Sequence, residues 1–240
     1  MKTWQKYAAE FFGTLVVVGI GTGTIIALGM SNLEADITTV ALAFGFAWMA
    51  ALYTFGRVSG GHFNPALTLA VFLDRRISAT DMLGYWVAQF LGALGASAIF
   101  AWVLDRSAVA TSYTYVAEPT VGGFSGFVAE AIFTMVLGAG FLVLSKSRAH
   151  TKYLGMGITL SALTFIGLRF TGASMNPARS FAPSIIGEDI PQFFSSTNQL
   201  WVFFVGPLLG AILGWVLYKF VVVGDTDLTD DFEEIRDSVS

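Results

Sequence analysis

Two asparagines recur in the same tripeptide: Asn64-Pro65-Ala66 within HFNPALTLAVF, and Asn176-Pro177-Ala178 within TGASMNPARSFAP. A carboxamide is neither acid nor base at ordinary pH. Its chemistry is hydrogen bonding, with an oxygen that accepts and an NH₂ that donates twice. Around the tripeptides lie the other polar groups of an apolar chain: His62 just before the first, Arg179 just after the second, and Glu10 and Glu130 in the matching stretches AAEFFGT and VAEAIFT. These residues form no nucleophile–base pair and no phosphate loop, so no catalytic residue is expected. The chain has no cysteine, which removes disulfides, thiol catalysis and thiolate metal sites. Its two histidines, His62 and His150, are too few and too far apart to suggest a metal site; no cofactor and no nucleic-acid partner is implied.

The composition says where such groups must work. The 240 residues are 55% hydrophobic and only 12% charged, about half the charge of a soluble domain. The natural solvent for such a chain is a lipid bilayer. Six stretches, near 7–29, 37–57, 82–104, 124–145, 153–170 and 200–223, are each long enough to cross about 30 Å of hydrocarbon. The first runs too long, and lacks the small-residue cleavage site, for a signal peptide. Trp4, Trp102 and Trp201 fall at span ends, where interfacial tryptophans belong. With the N-terminus inside, the cytoplasmic side collects Lys2, Lys6, Arg57, Arg75, Arg76, Lys146, Arg148, Lys152 and Lys219. The other side keeps Arg106, Arg169 and Arg179, and the segment of Glu34 and Asp36 has no base. Both termini are therefore expected in the cytoplasm, and the protein in the cell membrane. The net charge of −4 reflects an acidic tail, 224–240, expected to be a solvated, disordered segment.

The chain repeats itself. Glu10 matches Glu130, the two tripeptides follow, and the third spans carry small residues at four-residue spacing: Ala88, Gly92 and Ala96, then Gly206, Gly210 and Gly214. Such stripes let backbones approach and are expected between the repeats. Each repeat has three spans, an odd number, so the second enters from the opposite side. One membrane domain is expected over 1–223, with repeats near 5–104 and 124–223.

Inside that repeat the tripeptides have a role. Asparagine is a strong helix N-cap and proline is favoured at the first helical position. Each tripeptide starts a short helix, from Pro65 to about Leu73 and from Pro177 to about Ile186, which spans half a membrane. Inversion brings the two N-termini together near the midplane, concentrating about half a positive charge from each. The side-chain NH₂ of each asparagine is left to donate into a lumen. The segments before the caps, 59–63 and 171–175, cannot show unpaired carbonyls to lipid. They must line a polar path, with the carbonyls of Gly60, Gly61, His62, Gly172 and Ser174 turned toward it.

On SGGHFNPA, MNPARS and the paired membrane glutamates, the chain resembles the aquaporin (major intrinsic protein) family over residues 5–223. The resemblance implies an all-α membrane fold of six transmembrane helices plus two re-entrant half-helices, a pore in each subunit, and a homotetramer. It implies passage of water, with small neutral solutes as further cargo and with protons and ions excluded. Carried over by position, the constriction comprises Phe44, Gly167, Ala173 and Arg179. Strict water channels have a histidine where this mapping puts Gly167, so the mouth resembles that of glycerol facilitators. Ser180 resembles the water channels instead, since glycerol facilitators have an aspartate there. A glycerol or small-solute facilitator is the alternative, and a coupled secondary transporter the more distant one.

Other residues have two readings each. Arg179 is read as a pore donor that repels cations, rather than an arginine pinned by carbonyls. Glu10 and Glu130 are read as braces for the loops, rather than a proton relay. His62 is read as ordering its loop through its side chain. Trp48, one turn from Phe44 on the same face, either narrows the path or packs against a neighbour.

Overall fold

The computed structural model describes residues 1–31, 36–117, 120–149, 151–187 and 199–223. His150, Glu34 and the acidic tail lie outside the described residues. Among the described residues the chain is helical without strands: α1 (Thr3–Met30), α2 (Ile37–Ser59), α3 (Pro65–Leu73), α4 (Ala79–Val103), α5 (Arg106–Ala110), α6 (Gly123–Lys146), α7 (Lys152–Thr171), α8 (Pro177–Gly187) and α9 (Leu200–Leu217). A π-helical segment, Tyr218–Val223, extends α9. Six helices (α1, α2, α4, α6, α7 and α9 with its extension) are long and apolar enough to cross a membrane. Even α7, with 20 residues, reaches about 30 Å at 1.5 Å per residue.

Local signals set the ends that matter for the site. Asp36, Ser78 and Asp105 cap α2, α4 and α5 by accepting backbone N–H bonds in the first turn. Helices α2 and α7 both stop at a glycine in the left-handed region, Gly60 at φ 96° and Gly172 at φ 75°. A Cβ would be strained at both positions, and each glycine turns the chain into the loop that leads to a half-helix.

Packing follows the repeat. In the first half α1 packs on α2 and α4; in the second α6 packs on α7 and α9. The small-residue stripes work inside each half, not between the halves as expected from sequence. A methyl group at Gly92 would lie 2.3 Å from the Phe11 carbonyl oxygen of α1, and one at Gly210 would lie 2.4 Å from the Ala131 carbonyl oxygen of α6. The seam between halves uses other glycines. A methyl at Gly45 of α2 would lie 2.4 Å from the Gly157 carbonyl oxygen of α7, and the reverse contact would be 2.8 Å. Each half-helix then crosses the seam: α3 packs on α9, and α8 on α4. Neither repeat is complete without the other.

Candidate functional site: a cavity between two half-helices

The half-helices begin as the tripeptides require. Asn64 is extended and its Oδ1 accepts from the Ala66 N–H at 2.8 Å. Asn176 Oδ1 accepts from Ala178 N–H at 3.0 Å and Arg179 N–H at 3.4 Å. The carboxamide NH₂ groups are not wholly free, however. Asn64 Nδ2 donates to the Met175 carbonyl at 2.8 Å, and Asn176 Nδ2 to the Phe63 carbonyl at 3.1 Å. Each asparagine thus caps its own helix and ties down the opposite loop, leaving one N–H for anything in the lumen. The residues whose carbonyls are used, Phe63 and Met175, have φ of 50° and 51°. That unusual conformation turns their carbonyls across the seam.

The glutamates hold these strained loops. Glu10 accepts from Ser59 Oγ (2.6 Å), His62 N–H (3.0 Å), Phe63 N–H (2.7 Å) and Gln89 Nε2 (2.7 Å). Glu130 accepts from Thr171 Oγ1 (2.6 Å), Ser174 N–H (2.9 Å) and Met175 N–H (2.7 Å). Both carboxylates are fully buried, and the pairing satisfies loop N–H groups that no helix or strand could satisfy. His62 Nδ1 lies 3.1 Å from Thr68 Oγ1, so its ring is tied to the first turn of α3.

Between the caps is a cavity bounded by both asparagines, by Phe44, Ala173 and Arg179, and by Trp48 and His62. Its volume is about 30 Å³, room for about two waters. Arg179 is buried; its Nη1 donates to the Ser112 carbonyl at 2.9 Å and its Cζ lies 5.2 Å from the centre of the Phe44 ring. Phe44 packs where Gly21 of α1 leaves space for its ring. Trp48 borders the cavity and stacks on Phe141, ring centroids 5.9 Å apart. Of the expected carbonyl-bearing residues, His62 and Ser174 border the cavity, whereas Gly60, Gly61 and Gly172 do not. Among the described residues no donor pairs with the carbonyls of Gly61, His62, Gly172, Ala173 or Ser174, in contrast to those of Phe63 and Met175.

Gly167 is placed differently from the expectation. It does not border the cavity: a methyl there would meet the Phe133 ring at 2.7 Å and Ala173 Cβ at 3.1 Å. Thr164, one turn earlier, does border it, with Oγ1 buried and without a partner among the described residues. The symmetry explains why. Aligning the two tripeptides pairs Trp48 of α2 with Leu160 of α7, and both border the cavity. The two helices run in opposite directions, so the residue four before Trp48 and the residue four after Leu160 share a level. Those are Phe44 and Thr164. Reading α7 against α2 about that pair would have found Thr164 in the sequence.

Other contributors were also missed. Gln89 donates to Glu10 and to Thr68 Oγ1 (2.8 Å), and Tyr85 OH donates to the Ser59 carbonyl (2.7 Å). A glutamine in the middle of an apolar span was the available signal. Ser112, whose carbonyl holds Arg179, left none, because a backbone group has no sequence signature.

Comparison with known proteins agrees with this geometry. The family description "Major intrinsic protein" matches residues 1–218. The chain belongs to the major intrinsic protein family. It is 38% identical over 213 residues to glycerol uptake facilitator protein-like 6 of Lactiplantibacillus plantarum, covering 87% of this chain and 94% of that one. It is 37% identical over 223 residues to the lens fiber major intrinsic protein of Gallus gallus (91% and 82% covered). It is 33% identical over 226 residues to aquaporin Z of Brucella melitensis (90% and 96%). Its fold is that of the aquaglyceroporin from Plasmodium falciparum, with a TM-score of 0.85 at 21% identity, over 95% of this chain and 100% of that one. As a member of a channel family with six membrane-crossing helices, the chain is a multi-pass membrane channel and not an enzyme.

Proposed function

We propose that this channel conducts water passively, with small neutral solutes as further cargo, and excludes protons and ions. The observation that carries the reading is the reciprocal pair of asparagines. Each keeps one N–H for the lumen while its other N–H and its oxygen are committed to protein. A water between them accepts from both, with its oxygen held toward the positive ends of α3 and α8. Its hydrogens then point outward along the pore in opposite directions, and a proton wire has no consistent polarity through it. The unpaired carbonyls on either side accept from the waters that follow.

The proposed constriction is Phe44, Thr164, Ala173 and Arg179. Arg179 donates to solute and repels cations, and Phe44 supplies an apolar wall. Thr164 is smaller than the histidine that the resemblance assigns to strict water channels. With a relative named for glycerol uptake, this favours passage of small polyols beside water, the second reading. Residues 1–223 form the channel domain and 224–240 a cytoplasmic tail. The assembly is a homotetramer in the plasma membrane with both termini cytoplasmic. Stopped-flow light scattering of liposomes containing the full chain, under sucrose and then glycerol gradients, tests the function. Water permeability equal to that of empty liposomes would overturn it.

A further inference from the structure

The segment between α5 and the second repeat forms a strap, which starts at the C-cap of α5, Thr111, still helical at φ −68° and ψ −15°. From Thr111 to Val116 burial alternates strictly: Ser112, Thr114 and Val116 face inward, and Thr111, Tyr113 and Tyr115 face out. The outward tyrosines lie on one side, their rings 6.2 Å apart. Two of the three inward residues are polar, and both act on the first turn of α8. The Ser112 carbonyl accepts from Arg179 Nη1 at 2.9 Å, and Thr114 Oγ1 donates to Ser180 Oγ at 2.8 Å.

Ser180 hands the contact on. Its hydroxyl pairs with Ser174 Oγ, which donates to the Asn176 carbonyl at 2.9 Å. Three hydroxyls thus run in one direction from the strap to the second asparagine, each with its single proton committed. Helix α5, which leads into the strap, also grips the far end of α8. Arg106 Nε donates to the Ile186 carbonyl at 2.8 Å, and a methyl on Gly187 would lie 2.6 Å from the Ala110 nitrogen. Among the described residues the first half-helix has no such strap; its first-turn Thr68 is held by Gln89, from a membrane helix.

Arg179 has few other restraints. Its Nε is buried without a partner among the described residues, so Ser112 and the Phe44 ring fix the guanidinium. The position of Ser112 therefore decides where that donor sits, and Thr114, two residues along the same strap, bolts Ser112 to the helix that bears Arg179.

We propose that Thr114 is a positioning residue for solute selectivity, holding Arg179 at the pore through its bond to Ser180; this rests on the channel reading above. Without that bond the strap and the first turn of α8 separate, and the arginine moves off the path of larger solutes. The test compares glycerol and water permeability of the full chain in liposomes for wild type, Thr114→Val, Thr114→Ser, Ser180→Ala and the Thr114→Val/Ser180→Ala double variant. Thr114→Val should raise the glycerol-to-water ratio about fivefold, the factor carried by one net hydrogen bond. Thr114→Ser should restore the wild-type ratio, and the double variant should match Ser180→Ala alone, because Ser180→Ala already removes the Thr114 contact along with that to Ser174. An unchanged ratio in Thr114→Val, or an equal change in Thr114→Ser, overturns the proposal while leaving the channel intact. If Thr114→Val cannot be reconstituted, Ser180→Ala decides on the same ratio. Wild-type protein no more permeable than empty liposomes overturns both.

Discussion

The two loops that lead into the half-helices do the same job with different parts. Each has a left-handed glycine, a carbonyl turned across the seam and an asparagine cap, and is braced by a buried glutamate from a neighbouring helix. In the first, the glutamate takes a fourth bond from Gln89, and Thr68 is held by His62 and Gln89, all within the membrane-spanning bundle. In the second, Glu130 takes three bonds, and the first turn is held instead by Thr114 of the strap. The position of Gln89 is taken by Pro207 when Gly92 is aligned with Gly210, and a proline has no such donor. Symmetry is kept where the asparagines face each other and given up at the proposed constriction, since the residue matching Arg179 is Leu67, a buried apolar side chain.

The strongest test of the shared part is the glutamates. Glu10→Gln and Glu130→Gln keep the shape but offer one carbonyl oxygen where four and three donors converge. Each buried N–H left unpaired costs about 1–3 kcal/mol. We expect both variants to lose several degrees of thermal stability in detergent, Glu10→Gln the more, since it strands one donor more. A proton-relay role predicts the opposite pattern: unchanged melting with altered conduction.

The next test separates Thr164 from Gly167. Thr164→His should lower glycerol permeability about tenfold against water, the order of discrimination that a change of side-chain size produces in a tight site. Gly167→His should leave the ratio alone and instead cost about 1–3 kcal/mol through overpacking against Phe133. Liposome flux and melting temperature together distinguish the two. The reverse outcome would restore Gly167 to the constriction.

Gln89→Leu sharpens the comparison further. It strips the first loop of its additional brace and makes that half more like the second. The expected cost is about 1.5–3 kcal/mol, the scale of a hydrogen bond to a charged group, since the bond to Glu10 is lost together with that to Thr68; it is read as a lower melting temperature with the glycerol-to-water ratio unchanged. A changed ratio would mean that both loops, not only the strapped one, set selectivity.

What could be read from sequence divides along the same line. Spans, half-helices, the inverted repeat and the paired glutamates were legible because periodicity, capping chemistry and repetition each leave marks in residue types. The crossed asparagine bonds were only half legible. The cap follows from Asn-Pro, but the acceptors are backbone carbonyls of Phe63 and Met175, fixed by positive φ at residues with no preference for it. Gly167 was misplaced because the mapping followed resemblance along one helix rather than the register between α2 and α7. The strap was invisible as a motif, since TSYTYV reads as an ordinary connection until its inward face is seen to meet α8.

The smallest expected effect concerns pH at α5, the helix that leads into the strap. Asp105 caps α5 and accepts from Ser107 Oγ at 2.6 Å and Ala108 N–H at 2.7 Å, which hold its carboxyl below the usual carboxylate range. A carboxyl whose folded value lies below its unfolded one stabilises the folded form above the unfolded value, and that stabilisation is lost as pH falls through the folded one. The window therefore opens below about pH 4, and at neutral pH the cap is intact. Acid should loosen α5 and its Arg106 grip on α8 before it touches the first half-helix, which depends on no exposed carboxylate cap. Hydrogen exchange of 106–110 relative to 65–73, with intrinsic rates corrected for pH, should show protection of α5 falling on acidification while α3 stays constant. Asp105→Asn should flatten that dependence, because its amide oxygen still caps but does not titrate. Equal loss in both segments would show that the strap has no separate acid-sensitive anchor.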